Sequence, residues 1–379
     1  MWIMNHNFDV IIIGAGLSGI ALAIELISRT DKSLLIVEKK VKLKKDKNWC
    51  FWNEPKNHFS DLFDNKWDEI VVKAKGEQLI KKASNRSYLR ISSKKFYDEG
   101  LRIINKSKKA RLILGQHIDN IKELNDKVKV VSKKGTFYCK ILFNSVPNEI
   151  SRNRLKQHFF GIEVKSKKPI FDKSKIILMD FQGKKNTVHF FYLLPYTEYI
   201  ALVETTYFSS SLCSALTYKK DIRNYLKKNF PNQDLEICFC EKGVLPMYSN
   251  TIVHSKKVVP IGMSNNWLKI STGYGFQKAF INSKQIVDCI LEGKDIYLEK
   301  KLVSTILDQI FCEFLLKYPN DSEEFFFKFF SGLKLKTIIN FLTEKYSFID
   351  MIRVLLTLPK KKLILTSISM LWRKKYHVN

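Results

Sequence analysis

Phe8-Asp9-Val10-Ile11-Ile12-Ile13-Gly14-Ala15-Gly16-Leu17-Ser18-Gly19 decides the fold. A β-branched run reads as a buried parallel strand and ends at once in a glycine-spaced turn. Ile20–Ser28 follows with Ile20, Ala23, Ile24 and Ile27 on one helical face. Leu34–Val37 is a second short apolar strand, closed by Glu38. This is GxGxxG in its strand–turn–helix–strand setting. Gly14 permits the tight turn, Gly16 lets backbone approach a pyrophosphate, and Gly19 lets the helix lie close on the strand. Ala15 and the free N–H groups of the helix start face the phosphates. Glu38 stands where an acid accepts from the ribose hydroxyls. The motif points to a dinucleotide and does not by itself separate FAD from NAD. Its place at the very start of a long chain, without a second GxGxxG, favours FAD. The same glycines, with Asp9 before them, argue against reading the apolar run Val10–Ile27 as a membrane span.

Outward from this motif, 379 residues with 45% hydrophobic and 27% charged side chains make a globular chain of two or three packed units. Lys+Arg is 65 against Asp+Glu 37, a formal net charge of +28. A nucleic acid or an anionic membrane surface would explain that excess. So would compositional drift, because only 10 of the 65 are arginines. The scarcity of Arg forks and the absence of a groove-reading motif exclude a nucleic-acid partner. Seven cysteines without a CxxC pair, and seven scattered histidines, predict neither a disulfide framework nor a metal site. No cleavable signal is visible, so a reducing cytoplasm is the expected compartment.

Farther along, Asn48-Trp49-Cys50-Phe51-Trp52 is an aromatic knot, readable as core or as a π-rich wall for a greasy ligand. Tyr88–Ile91, Arg111–Leu114, Val128–Val131 and Ile141–Phe143 read as strands, with a helix from Lys94 to Lys106 between the first two. Gln157–Val164, Ile176–Phe181, Val188–Leu194, Ile200–Thr206 and Glu236–Phe239 alternate as antiparallel strands do. From Leu302 the chain is helical, Phe/Leu-rich and basic, suited either to a core or to a membrane surface. The expected fold is α/β: a Rossmann-like FAD-binding domain (8–60, 95–150 and 255–295) interleaved with an antiparallel β-sheet substrate domain (61–94 and 151–254). A C-terminal helical region (296–379) completes it.

Several motifs then fall in a distinctive order: GxGxxG with Glu38, Trp49-Cys50-Phe51-Trp52, and Gln157-x-Phe159-x-Gly161-x-Glu163. Met179-Asp180, Leu194-Pro195, Leu202-Val203-Glu204-Thr205-Thr206-Tyr207, Leu245-Pro246, Ser271-Thr272-Gly273-Tyr274 and Phe329-Phe330-Ser331-Gly332 follow. This series resembles the bacterial lycopene β-cyclases over roughly residues 8–375. The resemblance implies a non-covalent flavoprotein active with reduced FAD, NADPH being the ultimate reductant. It implies a redox-neutral closure of lycopene ends to β-ionone rings, a membrane-dissolved carotenoid substrate, and an enzyme peripheral on the inner membrane face.

Site residues follow from the same match. Glu204, emerging from an apolar strand that would raise its pKa, matches the family's essential acid; whether the proton comes from it or from the flavin stays open. Gly262 and Thr272-Gly273-Tyr274 match the loop that closes over flavin. Trp49, Phe51 and Trp52 match the aromatic motif beside the substrate, and Glu163 and Asp180 match family carboxylates, placed in the pocket in supporting or structural roles. Asn144-Ser145 stands where relatives carry Asp, Asn265-Asn266 where a Gly pair is common, and Ile270 where Pro is common; Gly161-Ile162-Glu163 lacks a Trp. These departures bear on flavin affinity more than on fold. The alternatives are another FAD-dependent oxidoreductase acting on a polyprenyl or carotenoid substrate, and a decayed cyclase.

Overall fold

The computed structural model of the chain describes residues 7–53, 59, 61–83, 86–133, 135–147, 149–252, 255–299 and 301–376, the side chains of 373–376 excepted. The expected segment limits at 60, 254 and 379 lie outside these residues. Strand β1 (Asn7–Ile13), helix α1 (Leu17–Arg29) and strand β2 (Leu34–Val37) open the chain. Strands β3 (Asn48–Trp52), β4 (Asn65–Trp67), β5 (Glu69–Ala74), β6 (Glu77–Lys82) and β7 (Tyr88–Ser92) lead to helix α2 (Ser93–Lys106). Next come β8 (Ala110–Ile113), β9 (Ile118–Glu123), β10 (Val128–Ser132) and β11 (Gly135–Asn144). The longer strands β12 (Lys156–Ser166), β13 (Lys175–Phe181), β14 (Val188–Pro195) and β15 (Ile200–Ser209) precede helix α3 (Ala215–Asn229) and strand β16 (Leu235–Pro246). Strand β17 (Val258–Pro260), a 3-10 turn (Gly262–Asn265) and helix α4 (Phe276–Leu291) follow. Helices α5 (Leu302–Lys317), α6 (Ser322–Ser331), α7 (Leu335–Leu342), α8 (Phe348–Thr357) and α9 (Lys360–Tyr376) end it.

The first sheet runs β8-β2-β1-β11-β10-β9, with β17 also paired to β11. Its β8, β2, β1, β11 and β17 are parallel, while β10 and β9 return antiparallel. Val10, Ile11 and Ile12 are wholly buried, as a strand covered on both faces requires. Helices α1, α2 and α4 cover one face through Ile20, Ala23, Phe96, Phe280 and Ile286. Ser92 caps α2, its hydroxyl accepting from the Lys95 N–H, and Gly293 follows α4 at φ +64. This is the mixed α/β, Rossmann-like architecture expected from the opening motif.

The second sheet runs β16-β12-β15-β14-β13-β5-β6, antiparallel except for the β13–β5 pair. Helix α3 covers one face, with Ile222 and Tyr225 against Ile162, Phe191 and Val203. The opposite face carries Leu194, Leu202, Phe190 and Phe208, which form one core with Phe325, Phe329 and Phe330 of α6 and Ile338 of α7. The small antiparallel sheet β3-β7-β4 adds Trp52, Trp67 and Tyr88 to that core. The aromatic knot is therefore a strand, and its two faces meet two different cores.

The C-terminal helices divide their apolar residues. Phe325, Phe329 and Phe330 are buried, whereas Phe348, Ile349, Leu356, Ile364, Leu371 and Trp372 of α8 and α9 are exposed. Among the described residues no helix is long and apolar enough to cross a membrane.

Candidate active site

The glycine turn lies at the C-terminal ends of the parallel strands, where this sheet type leaves a crevice. Gly14 sits at φ +95, and a Cβ there would run into the Ser145 hydroxyl, which donates to the Ile13 carbonyl at 2.7 Å. A Cβ on Gly19 would overlap the Gly14 carbonyl, so helix and turn touch backbone to backbone. Gly16 differs: a Cβ there would meet nothing within 4 Å. It caps α1 with no side-chain hydrogen bond, which leaves first-turn N–H groups free for a ligand. Glu38, at the end of β2, accepts from the Ala15 N–H at 2.7 Å and the Lys40 N–H at 2.9 Å. Its remaining lone pairs can still accept from hydroxyls.

Gly262 completes the rim. It sits at φ +69, and a Cβ on it would come 2.7 Å from the Ser18 hydroxyl, so the 3-10 turn rests on the first turn of α1. Two of the departures, Asn144-Ser145 and Asn265-Asn266, fall here. The Asn144 carbonyl accepts from the Ile261 N–H at 2.9 Å, and Asn265 Nδ2 donates to the Pro260 carbonyl at 2.9 Å. Asn266, at φ +55, exchanges hydrogen bonds of 2.8 and 3.0 Å with Asn250. The Asn144 side chain accepts from the Val146 N–H at 3.0 Å, so each of these side chains supports local backbone. Gly14, Ala15, Gly16, Gly19, Glu38 and Gly262 thus come together, and the open cradle at Gly16 over an uncapped helix fits a dinucleotide pyrophosphate.

Thr272-Gly273-Tyr274 lies elsewhere, against the end of the second sheet. Gly273 is at φ +73, and its Cβ would come 2.7 Å from Leu245 and 3.0 Å from Gln157 Oε1. Gln157 Oε1 and Trp267 Nε1 are buried without a hydrogen-bond partner. The loop is anchored by Lys269, whose ammonium meets both Asp308 oxygens at 2.7 and 2.8 Å, while the Ser271 hydroxyl donates to the same carboxylate at 2.8 Å.

Strand register assembles the acid. Tyr192, Glu204, Gly161 and Glu241 are direct cross-strand partners in one row over β14, β15, β12 and β16. Partners in a row point to one face, so both glutamates flank a residue without a side chain. A Cβ on Gly161 would come 3.3 Å from Glu241 Cγ and 3.4 Å from Glu204 Cβ. Burial, then the nearby Glu241, raises the Glu204 carboxyl to about 8; the Thr206 hydroxyl donates to it at 2.8 Å. Burial raises Glu241 as well, against the backbone and side-chain N–H groups of Asn48, which donate at 2.8 and 3.1 Å. Glu163, two residues beyond Gly161 on the same face, pairs with Lys45 at 2.5 Å and accepts from the Tyr196 hydroxyl at 3.1 Å. Arg90 donates to Asn48 at 2.6 Å and lies over the Tyr196 ring at 3.7 Å, fixing both. Burial raises the Cys50 thiol and the Tyr274 hydroxyl to about 12, and also pushes the Tyr192 hydroxyl well up. These groups stay neutral around the acid.

A model of the lycopene cyclase protein family matches residues 9–367. The chain belongs to the lycopene cyclase family. No curated protein matches it. Among solved structures it is similar to a geranylgeranyl bacteriochlorophyll reductase-like protein from Thermoplasma acidophilum, at 13% identity and TM-score 0.71, covering 95% of this chain and 98% of that one. It is similar also to the flavin-dependent brominase Bmp2, at 12% identity and TM-score 0.64, covering 97% and 99%. A p-nitrophenol 4-monooxygenase from Pseudomonas putida matches at 9% identity and TM-score 0.59, covering 98% of each chain. At these identities the likeness is one of fold.

Three side chains expected beside the substrate in this lycopene cyclase family member do not share the Glu204 face. Trp49 and Phe51 alternate with Cys50 and Trp52 along β3, so they face the other core. Trp49 packs edge-on to Phe96 at 5.0 Å, and Phe51 stacks on Phe276 at 4.3 Å. Asp180 is on the α3 face of its sheet, where it accepts from the Tyr225 hydroxyl at 2.8 Å. A register shift in β13 between Ile177 and Asp180 sets which side chains face each core. Trp52 and Glu163 remain on the Glu204 side. The sequence reading missed Glu241, Tyr192, Asn48 and Arg90. Glu241-x-Gly243-x-x-Pro246 runs into the quoted Leu245-Pro246, and that proximity was the available signal. Chemically, the arrangement is a protonated carboxyl in a buried, aromatic-rich site.

Proposed function

We propose that this family member is a lycopene β-cyclase in which Glu204 protonates the acyclic ends of lycopene. One observation carries the reading: in a chain of this family, the glutamate of Glu204-Thr205-Thr206 is buried, protonated near neutral pH and flanked by a second carboxyl across Gly161. The Glu204 proton adds to the terminal alkene, giving a tertiary carbocation. The neighbouring double bond attacks it, closing the six-membered ring and moving the charge onto a ring carbon. Loss of a ring proton restores the alkene, so lycopene becomes γ-carotene and then β-carotene with no net redox change. Glu204 and Glu241 give that proton two carboxyl groups to return to. Exclusion of water is essential, because water would capture the cation. Tyr88, Tyr192 and Trp52 present electron-rich faces in its place.

Gly14, Ala15, Gly16, Gly19, Glu38 and Gly262 would hold FAD, with Thr272, Gly273 and Tyr274 toward its flavin end. Bound and reduced, ultimately by NADPH, the flavin would supply electron density that stabilises a nearby cation. The exposed apolar residues of α8 and α9, with Lys360 and Lys361 at the start of α9, suit attachment to the inner face of an anionic membrane, where the substrate is dissolved.

Expression in a lycopene-accumulating bacterium tests the reading. Ring-containing carotenes support it. Unchanged lycopene in cells that contain the protein refutes it. Glu204→Gln should abolish cyclisation while the protein still purifies with flavin.

A further inference from the structure

Helices α5, α6, α7, α8 and α9 surround an apolar cavity of about 370 Å³. Phe311, Phe326, Phe329, Phe341, Leu355 and Ile364 form much of its wall. Two ionisable residues border it: Asp308, engaged by Lys269, and Lys360, exposed at the start of α9. Such a space offers water few hydrogen bonds, and the ligand class that gains by entering it is a hydrocarbon.

Its position gives it a purpose. Ser271 and Thr272 line it, and the next residues, Gly273 and Tyr274, reach Gln157, Leu245 and the aromatic groups beside Glu204. Cys50, Tyr192 and Tyr274 near the acid, and Phe311, Phe326 and Phe341 at the cavity, pack against one continuous core. Leu355 and Ile364 are 39% and 57% exposed, so the cavity wall continues onto the apolar outer surface of α8 and α9.

We propose that this cavity binds the unreacted length of a long linear polyene whose end is presented to Glu204, with Ser271 and Thr272 at the passage between them. The inference rests on the cyclase reading above. Protonation needs only one chain end at the acid. The rest of a C40 hydrocarbon has no polar group and must lie in apolar surroundings. A cavity open to the outer apolar surface also lets the chain enter lengthwise, without crossing water.

Leu355→Trp and Ile364→Trp test this by filling the cavity from half-exposed positions, and Ile364→Gln makes its wall polar without added bulk. The full-length flavoprotein is mixed with lycopene, or with a half-length linear polyene bearing the same acyclic end, each in detergent micelles. Polyene absorbance that co-elutes with protein measures retention, and thermal unfolding checks the fold. The expected result is lycopene retention at least about tenfold weaker in the variants, with half-length retention and turnover unchanged. Folded variants that retain lycopene like wild type, or that lose both polyenes equally, overturn the proposal. Retention is read without turnover, so the two readings fail separately. Wild type that holds lycopene without cyclising it, and loses it on cavity filling, supports the cavity and refutes the cyclase. Wild type that cyclises lycopene with the same KM as the filled variants does the reverse.

Discussion

Replacing Glu204 with glutamine should remove the acid and, at neutral pH, stabilise the protein. Glu204 is 8% exposed, and burial with the neighbouring Glu241 lifts its carboxyl from 4.5 to about 8. A carboxyl that holds its proton more tightly in the folded chain contributes stability fully below the unfolded value. That contribution is lost as pH rises through the folded value. At pH 7 the folded chain retains a proton that the unfolded chain releases. At ~1.4 kcal/mol per tenfold in proton affinity, this weakens the fold by roughly 3 kcal/mol relative to mildly acidic solution. Glutamine keeps the shape, cannot ionise and still accepts from the Thr206 hydroxyl. Glu204→Gln and wild type should therefore be similarly stable near pH 4.5, with the variant pulling ahead to roughly 3 kcal/mol at pH 7. Urea unfolding followed by far-UV circular dichroism, at intervals from about pH 4.5 to about pH 8, measures the difference curve. A difference that stays flat with pH, or a variant less stable than wild type at pH 7, would refute a buried, protonated Glu204.

The glycine turn separates binding from folding: Gly16→Ala should leave unfolding unchanged and weaken flavin retention, read from the absorbance of the purified protein. Gly19→Ala drives a methyl group into the Gly14 carbonyl and should cost ~1–3 kcal/mol of stability in urea. Lys269→Met leaves the buried Asp308 without its counter-ion and should cost ~3–5 kcal/mol. Adding Asp308→Leu should recover most of that loss in the same assay. Initial rates of cyclisation should fall as pH rises through about 8, and Glu241→Gln should move that limb to lower pH, because a nearby negative charge that holds the Glu204 proton is gone.

Much of the fold was legible because its signals are short-range. β1, α1, β2 and the turn between them are encoded within thirty-odd consecutive residues by β-branched burial, glycine spacing and one helical stripe. The antiparallel strands were legible as β-branched and aromatic runs, although β14 and β15 are buried on both faces instead of alternating. Helix α3 was not legible, because Tyr218-Lys219-Lys220-Asp221-Ile222-Arg223-Asn224-Tyr225 carries only two buried side chains, Ile222 and Tyr225. The short strands β4, β5 and β6 were equally hidden, their order in the sheet being set by partners far along the chain.

The C-terminal region shows the same division. Composition alone left core packing and a membrane face as competing readings. The helices do not choose one: α6 and α7 turn Phe329, Phe330 and Ile338 into the core beside the second sheet, and α8 and α9 leave Phe348, Leu356, Leu371 and Trp372 outside. A run of Phe and Leu records how much apolar surface exists, and only packing partners determine which part is covered.

By itself, then, the sequence determined the glycine turn, Glu38 at the end of β2, and Glu204 in an apolar strand, because each depends on neighbours within a few residues. Only the tertiary structure placed Glu241 across Gly161 from Glu204, turned Trp49 and Phe51 away from the acid, and put Asp180 on the opposite face. Side chains in a sheet alternate with a period of two, and strand pairing is set by residues tens of positions apart. A single register shift therefore decides which carboxyl groups meet, and no local pattern records it.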